Sequence, residues 1–416
     1  MPVKAARCAR AHNGAMAHDT DILIIGAGPA GLALAAAVAD AGLRATVLEQ
    51  QPRDALEQPV DDGREIALTH RARRVMNTLG LWSRLPAGAI APLREARVLD
   101  GDSPSALRFA TGGNGAEALG WLVPNHAIRR AALGAALARP AVQLQCNARV
   151  SALQIGADEA SVTLADGRRF SAPLVIAADS RFSQTRRLAG IGASMHDFGR
   201  SVVVGRVAHA QPNDGIAWEC FRYGNTLALL PMNDGQCSAV ITVASDQVAA
   251  WLALGDAEFA ARIAQQSGGR LGALRAVGAR HHYPLVGVYA RRFVAPRFAL
   301  IGDAAVGMHP VTAHGYNFGL YGVELLAREL QRAHALGNDI GALPALQRFE
   351  SAHRRTTLPV YLGTNAVVAL FTNERAGARL LRRAVLDVAE RAPALSGLIK
   401  GVIARQLTGD AALRMG

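Results

Sequence analysis

The segment Ile22-Leu-Ile-Ile-Gly26-Ala-Gly28-Pro-Ala-Gly31 constrains this chain more than any other. An apolar β run from Thr20 to Ile25 meets three glycines at G-x-G-x-x-G spacing, and an Ala-rich helical stretch continues to about Ala41. Gly26 permits a tight turn, Gly28 lets the backbone approach a pyrophosphate, and Gly31 lets the helix lie close on the strand. The helix N-terminus then offers unpaired N–H groups and the positive end of its dipole to phosphate. A second β run, Arg44 to Glu49, ends on an acid placed to hold the adenosine ribose hydroxyls. A carboxylate there repels a 2′-phosphate, which disfavours NADP at this site and leaves FAD and NAD.

A second element decides between them. Phe298-Ala-Leu-Ile-Gly302-Asp303 again reads as a buried strand ending in glycine, followed by His309-Pro310, Gly315, Asn317, Gly319 and a helix from about Asn317 to Ala335. Asp303 at a strand end can accept a hydrogen bond from a ribityl hydroxyl. Backbone N–H groups at the next helix N-terminus can face a flavin's pyrimidine edge and stabilise its reduced anion. Taken alone, Asp303 could equally be an ordinary helix cap. Together with the first element it favours FAD, because a nicotinamide dehydrogenase needs no second such turn.

The rest of the chain reads in the same sense. Residues 67–79 are predicted helical, as are 127–138; Val142 to Ala177 reads as a β meander turning at Asp166-Gly167; Val202 to Val243 alternates like an antiparallel sheet; 345–416 is helical and Arg-rich. With 416 residues the chain exceeds a single core. Cys8, Cys146, Cys220 and Cys237 are scattered with no C-x-x-C, which argues against a disulfide framework, a zinc site or a dithiol centre. The net charge is +12, but the arginines are dispersed and aromatics make up only 5%. Nucleic acid is therefore the weak partner and an anionic membrane surface the stronger one. The longest apolar run is broken by Gly26, Gly28, Pro29 and Gly31, so it is not a membrane span. Residues 1–18 read as a disordered extension, with Met16 as an alternative start.

A third stretch, Val175-Ile-Ala-Ala-Asp179-Ser-Arg-Phe-Ser183-Gln-Thr-Arg186, completes a pattern that resembles the group A FAD-dependent aromatic monooxygenases of the para-hydroxybenzoate hydroxylase fold. Within that group the chain is most similar to the ubiquinone-biosynthesis hydroxylases, through Arg64-Glu-Ile-Ala-Leu, Leu79-Gly-Leu-Trp82, Gly224-Asn-Thr-Leu-Ala-Leu-Leu-Pro231, the Gly302–Leu320 loop and His353-Arg354-Arg355. The resemblance runs from about residue 20 to 409. It implies an α/β fold: an FAD-binding Rossmann-like (GR2-type) domain built from 19–85, 122–196 and 283–345. An inserted antiparallel-sheet substrate domain would comprise 86–121 and 197–282, and a C-terminal helical region 346–416. The implied cofactor contacts are Gly26, Gly28, Ala30, Gly31, Glu49, Gln50, Arg64, His126, Arg129, Asp179, Gly302, Asp303, Pro310, Gly315, Tyr316 and Asn317. Departures from the family pattern are Ser180 for a glycine, His126 for an arginine, Val306 for a histidine, Ala313-His314-Gly315 for Gly-Gln-Gly and Gly322 for an aspartate.

The chemistry implied is hydroxylation of the ring of a polyprenyl phenol or quinol in ubiquinone biosynthesis, with NAD(P)H as transient reductant, O₂ as co-substrate and a flavin C4a-hydroperoxide as oxygen donor. The implied catalytic residues are His314 and Pro310, beside the flavin ring. His281, His282 and Tyr223 are further candidates for a base, although each is also readable as an ordinary surface or core residue. The implied setting is the bacterial cytoplasm, peripheral on the inner membrane, with other ubiquinone-biosynthesis proteins as partners. Two alternatives stay open: an FAD hydroxylase of a soluble aromatic or polyketide, and a non-catalytic FAD-binding scaffold of a biosynthetic complex.

Overall fold

The computed structural model describes residues 20–100, 106–110, 118–222, 225–308 and 315–372. Pro310, His314, Tyr223, the 1–18 extension and the arginines beyond residue 372 lie outside the described residues.

Ile22–Ile25 is buried on both faces, as a strand without polar alternation must be. It lies inside a six-stranded sheet ordered Val294–Ala295, Phe298–Leu300, Leu174–Ala177, Ile22–Ile25, Ala45–Leu48, Val142–Gln145. Ile22 stands opposite Leu174 on one side and Ala45 on the other, both in parallel register. Only the outermost pair, Val294–Ala295 with Phe298–Leu300, is antiparallel. Helix Pro29–Asp40 begins with proline where a missing N–H is harmless. Its alanines let it pack closely between helices Asn125–Leu137 and Gly315–Ala335.

An eight-stranded sheet forms the second body of structure. Its order is Val306–Gly307, Leu274–Ala290, Ala193–His209, Gln236–Ala244, Asn225–Pro231, Ile216–Arg222, Glu95–Asp100, Ala106–Ala110. One face buries Val203, Val207, Leu227, Leu229, Ile241 and Val243 under Trp251, Phe259 and Ile263 of helices Val248–Leu252 and Asp256–Gln266. Each such side chain contributes roughly 1.5–3 kcal/mol by leaving water. The opposite face turns toward a three-stranded sheet ordered Glu65–Leu68, Gly120–Pro124, Ala91–Leu93.

Several sequence expectations are corrected here. The helix expected over 67–79 is a strand, Glu65–Leu68, then a helix, His70–Thr78; the Thr69 hydroxyl caps that helix by accepting from Ala72 N at 3.1 Å. The meander expected over 142–177 is shorter. Val142–Gln145 pairs parallel with Ala45–Leu48, because the helix before it returns the chain to the same direction. Only Val150–Ile155, Ala160–Leu164 and Arg169–Ala172 are antiparallel neighbours, turning at Gly167 with φ +89. The long sheet holds one parallel pair, Ile216–Arg222 with Glu95–Asp100, since those strands are joined by no hairpin that would force the opposite direction. Strands Ala193–His209 and Leu274–Ala290 pass through residues 196 and 282 without a break, and their register shifts between Asp197 and Ser201.

Candidate functional site: a two-sided nucleotide clasp

The first glycine element is dictated by its own backbone at two positions and left open at the third. A Cβ on Gly26, whose φ is +107, would lie 2.6 Å from Ala178 O, and one on Gly31 would lie 2.1 Å from Gly26 O. A Cβ on Gly28 would meet only Ala178 O, at 3.9 Å. No protein atom requires glycine at this position, which leaves room for a ligand at the helix N-terminus. Gly28 also makes no side-chain cap, so the first N–H groups of helix Pro29–Asp40 keep their capacity for phosphate.

Glu49 is 9% exposed at the end of its strand. Its Oε2 accepts from Ala27 N at 2.7 Å and its Oε1 from Gln51 N at 2.9 Å. Those bonds aim the carboxylate at the glycine turn and use two of about four acceptor positions, so it can accept further hydrogen bonds. Gln50 is exposed beside it, and Arg129 reaches Gln51 Oε1 at 3.5 Å.

The second element meets the first at Ala30. A Cβ on Gly302 (φ +58) would sit 3.2 Å from Ala30 Cβ, and one on Gly319 would sit 3.4 Å from the same atom. The two glycine-ended segments, far apart in sequence, therefore touch through one methyl group. Asp303 faces Arg181 Nη2 at 3.3 Å, and its charge acts on Arg64 as well. The third motif braces this turn from behind. Arg186, 2% exposed, donates to Ala304 O at 2.8 Å and to Arg181 O at 3.2 Å. Asp179 Oδ2 accepts from Thr185 N at 3.3 Å, while its Oδ1 is buried with no hydrogen-bond partner. Ser180 sits outside the left-handed region, so the turn accommodates serine in place of the family's glycine.

Helix Gly315–Ala335 has Gly315, Tyr316 and Asn317 in its first turn, at the positive end of its dipole. The Asn317 side chain has another task. Its Oδ1 accepts from Thr69 N at 3.0 Å and its Nδ2 donates to Ala67 O at 2.8 Å, pinning the end of strand Glu65–Leu68. Burial pushes the Tyr316 phenol well above its ordinary value.

Arg64 lies next to Gly63, whose φ is +71. Its guanidinium bonds Asp62 Oδ2 through Nε at 3.0 Å and lies 5.2 Å from the Tyr283 ring centroid. Tyr283 in turn donates to Asp62 O at 2.6 Å, and Asn125 donates to Asp62 Oδ2 at 2.8 Å. Burial works against the charge on Asp62, but the Arg64 bonds prevail and hold the carboxyl below its usual range. Asp61 is likewise held low by Arg206, which donates at 2.6 Å; a second arm of Arg206 donates to Glu65 at 2.8 Å. His126 Nδ1 is 3.5 Å from Asp61. His281 packs on Gly63, where an added Cβ would be 2.8 Å from its Cδ2, and His282 is exposed.

The structure thus brings Gly26, Gly28, Ala30, Gly31, Glu49, Gly302 and Asp303 into one clasp and places Arg64 on a pinned loop at its side. Sequence reasoning missed Arg206, Tyr283, Asp61 and Asp62; the acidic pair before Gly63 was the available signal.

Comparisons with known proteins agree. The model of a family described as FAD binding domain matches residues 19–336, and a squalene epoxidase model matches 288–403. Ubiquinone hydroxylase UbiM of Neisseria meningitidis is 46% identical over 398 residues, covering 95% of this chain and 86% of that protein. Ubiquinone hydroxylase UbiL of Rhodospirillum rubrum is 39% identical over 374 residues, 89% of this chain and 86% of that protein. The solved structure of Pseudomonas aeruginosa PqsL with 2-aminobenzoylacetate gives a TM-score of 0.74 at 21% identity over 87% of this chain and 99% of that one, a likeness of fold. The chain belongs to the FAD-dependent monooxygenases of the FAD-binding-domain family, among the ubiquinone hydroxylases.

Proposed function

We propose that this protein hydroxylates the aromatic ring of a polyprenyl phenol or quinol intermediate of ubiquinone biosynthesis. The observation that carries the reading is the junction at Ala30, where the helix that follows the Gly26–Gly28 turn meets the Gly302-Asp303 turn. FAD fits: Gly28 is open, Glu49 has acceptor capacity to spare, and Asp179 carries a buried acceptor without a partner. When bound, it supplies activation of O₂ with electrons drawn from NAD(P)H.

Every other part of the work falls to the chain. Gly26 and Gly31 hold the turn, Gly28 admits the pyrophosphate, and Glu49 orients the adenosine ribose. Asp303 receives a ribityl hydroxyl, kept in place by Arg181. The first N–H groups of helix Gly315–Ala335 present positive charge to the pyrimidine edge. Arg64, clamped by Asp62 and Tyr283, closes the side of the clasp and limits entry of water. Catalytic roles for Pro310 and His314 follow from the family resemblance. His314→Ala is expected to keep FAD yet divert more NAD(P)H oxidation into peroxide; unchanged coupling removes His314 from the reading.

A polyprenyl substrate resides in the bilayer, so we place the protein in the bacterial cytoplasm with a peripheral contact on the inner membrane. The +12 charge supports this, and among the described residues no helix is long and apolar enough to cross a membrane. Contacts with other ubiquinone-biosynthesis proteins belong to the same reading.

The test is to purify the chain, record its flavin spectrum and follow NAD(P)H and O₂ consumption with a short-tailed phenol. Quinone intermediates are then followed in a strain lacking the gene. A yellow protein whose NAD(P)H oxidation ignores every phenol offered, and whose loss leaves the quinone pool intact, rejects the reading.

A further inference from the structure

The face of the long sheet opposite its helices is roofed by the small sheet and clamped to it at both ends. At one end Arg206 bonds Asp61 and Glu65, and Tyr283 bonds Asp62. At the other, Leu93, Phe109 and Leu119 pack together, and Asn233 Nδ2 donates to Gly88 O at 2.7 Å and Ile90 O at 3.1 Å.

Between the clamps, strand register lines up one row across the sheet. Val98 stands opposite Glu219, Glu219 opposite Ala228, Ala228 opposite Val240, Val240 opposite Val204, and Val204 opposite His281. His281 rests on Gly63, beside Arg64. Glu219 is the only acid of this row, and no described hydrogen bond or ion pair engages it. The row is also incompletely packed. Val98, Ala228 and Val240 are half-buried, whereas Leu99, Leu227, Leu229 and Ile241 on the other face of the same strands are fully buried. An apolar face that is roofed yet keeps access to solvent bounds a chamber rather than a core.

We propose that Glu219 is a specificity residue that accepts a hydrogen bond from the hydroxyl of a phenolic or quinolic ring lying in this chamber. The assignment rests on the hydroxylase reading above and deepens it. Lacking an ionic partner and set among apolar side chains, the carboxyl is pushed up to about 7. It therefore changes charge near neutrality, and the ionised form is the stronger acceptor. A polar group alone in an apolar site discriminates sharply between a ligand that bonds it and one that leaves it unpaired.

The experiment uses FAD-loaded full-length protein, with ligand binding read from the change in flavin absorbance. The probes are phenol carrying a geranyl tail and the geranyl-substituted benzene without the hydroxyl. Wild type is expected to bind the phenol about tenfold or more tighter than the benzene, with the gap narrowing as pH falls from 8 to 6. In Glu219→Leu the gap closes at every pH while the FAD-to-protein ratio holds. In Glu219→Gln part of the gap remains and its pH dependence disappears; this isosteric variant decides the matter if Glu219→Leu does not fold. Wild-type gaps with wild-type pH dependence in Glu219→Gln overturn the assignment and leave the hydroxylase reading standing. A wild-type protein that binds neither probe and shows no probe-dependent NAD(P)H oxidation defeats the reading itself, and the assignment with it.

Discussion

Three glycines of one motif do different physical work, and substitution separates them. Gly28 is extended, with φ −68 and ψ 169, so alanine fits its backbone and its Cβ would make only an ordinary contact with Ala178 O at 3.9 Å. Gly28→Ala is expected to change stability by less than about 1 kcal/mol and to weaken FAD binding at least about tenfold through loss of close phosphate approach. Gly31→Ala drives a methyl group into Gly26 O and is expected to destabilise the protein by about 3 kcal/mol even without FAD. Chemical denaturation and FAD titration of both variants check the separation. His353 makes a second prediction at this scale. It is 1% exposed, stacked on Phe349, and its ring lies against Gly322, where the family usually has an aspartate. Burial lowers its pKa from 6.5 to about 3. The unfolded chain takes up a proton below 6.5 and the folded one does not, so stability is full above 6.5 and is lost as pH falls toward 3. Between pH 6.5 and 5 the loss is about 2 kcal/mol; His353→Phe should flatten that slope in denaturant midpoints, and an unchanged slope would contradict it.

Elements are held here by polar side chains that bridge long sequence separations. Asn317, on the first turn of its helix, fixes the end of strand Glu65–Leu68 through Thr69 and Ala67. Asn317→Leu leaves those backbone groups unpaired and should cost about 2 kcal/mol, measured by thermal unfolding of the apo-protein. Arg206 ties the long sheet to the Arg64 loop. Arg206→Ala strands Asp61 and Glu65, whose side chain is 1% exposed, and should cost roughly 3 kcal/mol. Such links mark the limit of what the sequence discloses. The glycine turns are legible because each stands in a short motif directly after an apolar strand and before a helix. The Arg206 network is not, since it depends on which strand of one sheet faces which loop of another. Thr69 hides similarly: its cap converts an apparently continuous helical pattern over 67–79 into strand and helix.

At the scale of the molecule, two sheets with different tasks pack together: Leu274–Ala290, a strand of the long sheet, ends with Tyr289 and Ala290 in the core of the parallel one. The parallel sheet supplies glycine-ended edges for a dinucleotide, and the antiparallel one supplies a broad face. Periodicity foretold both, but not that Ala193–His209 and Leu274–Ala290 would run unbroken past residues 196 and 282, because a continuous strand carries no linker composition to mark the passage. Flotation with liposomes belongs to this scale: binding should rise with anionic lipid and fall with salt, and indifference to both would remove the membrane contact. The central claim, that the Glu49 and Asp303 elements hold the two ends of one FAD, is tested most directly by calorimetric titration of apo-protein with FAD and with ADP-ribose. One FAD should bind per chain and exclude ADP-ribose. Asp303→Ala should weaken FAD while leaving ADP-ribose affinity unchanged, and Glu49→Ala should weaken both. FAD and ADP-ribose binding side by side, or Asp303→Ala without effect on FAD, would contradict it.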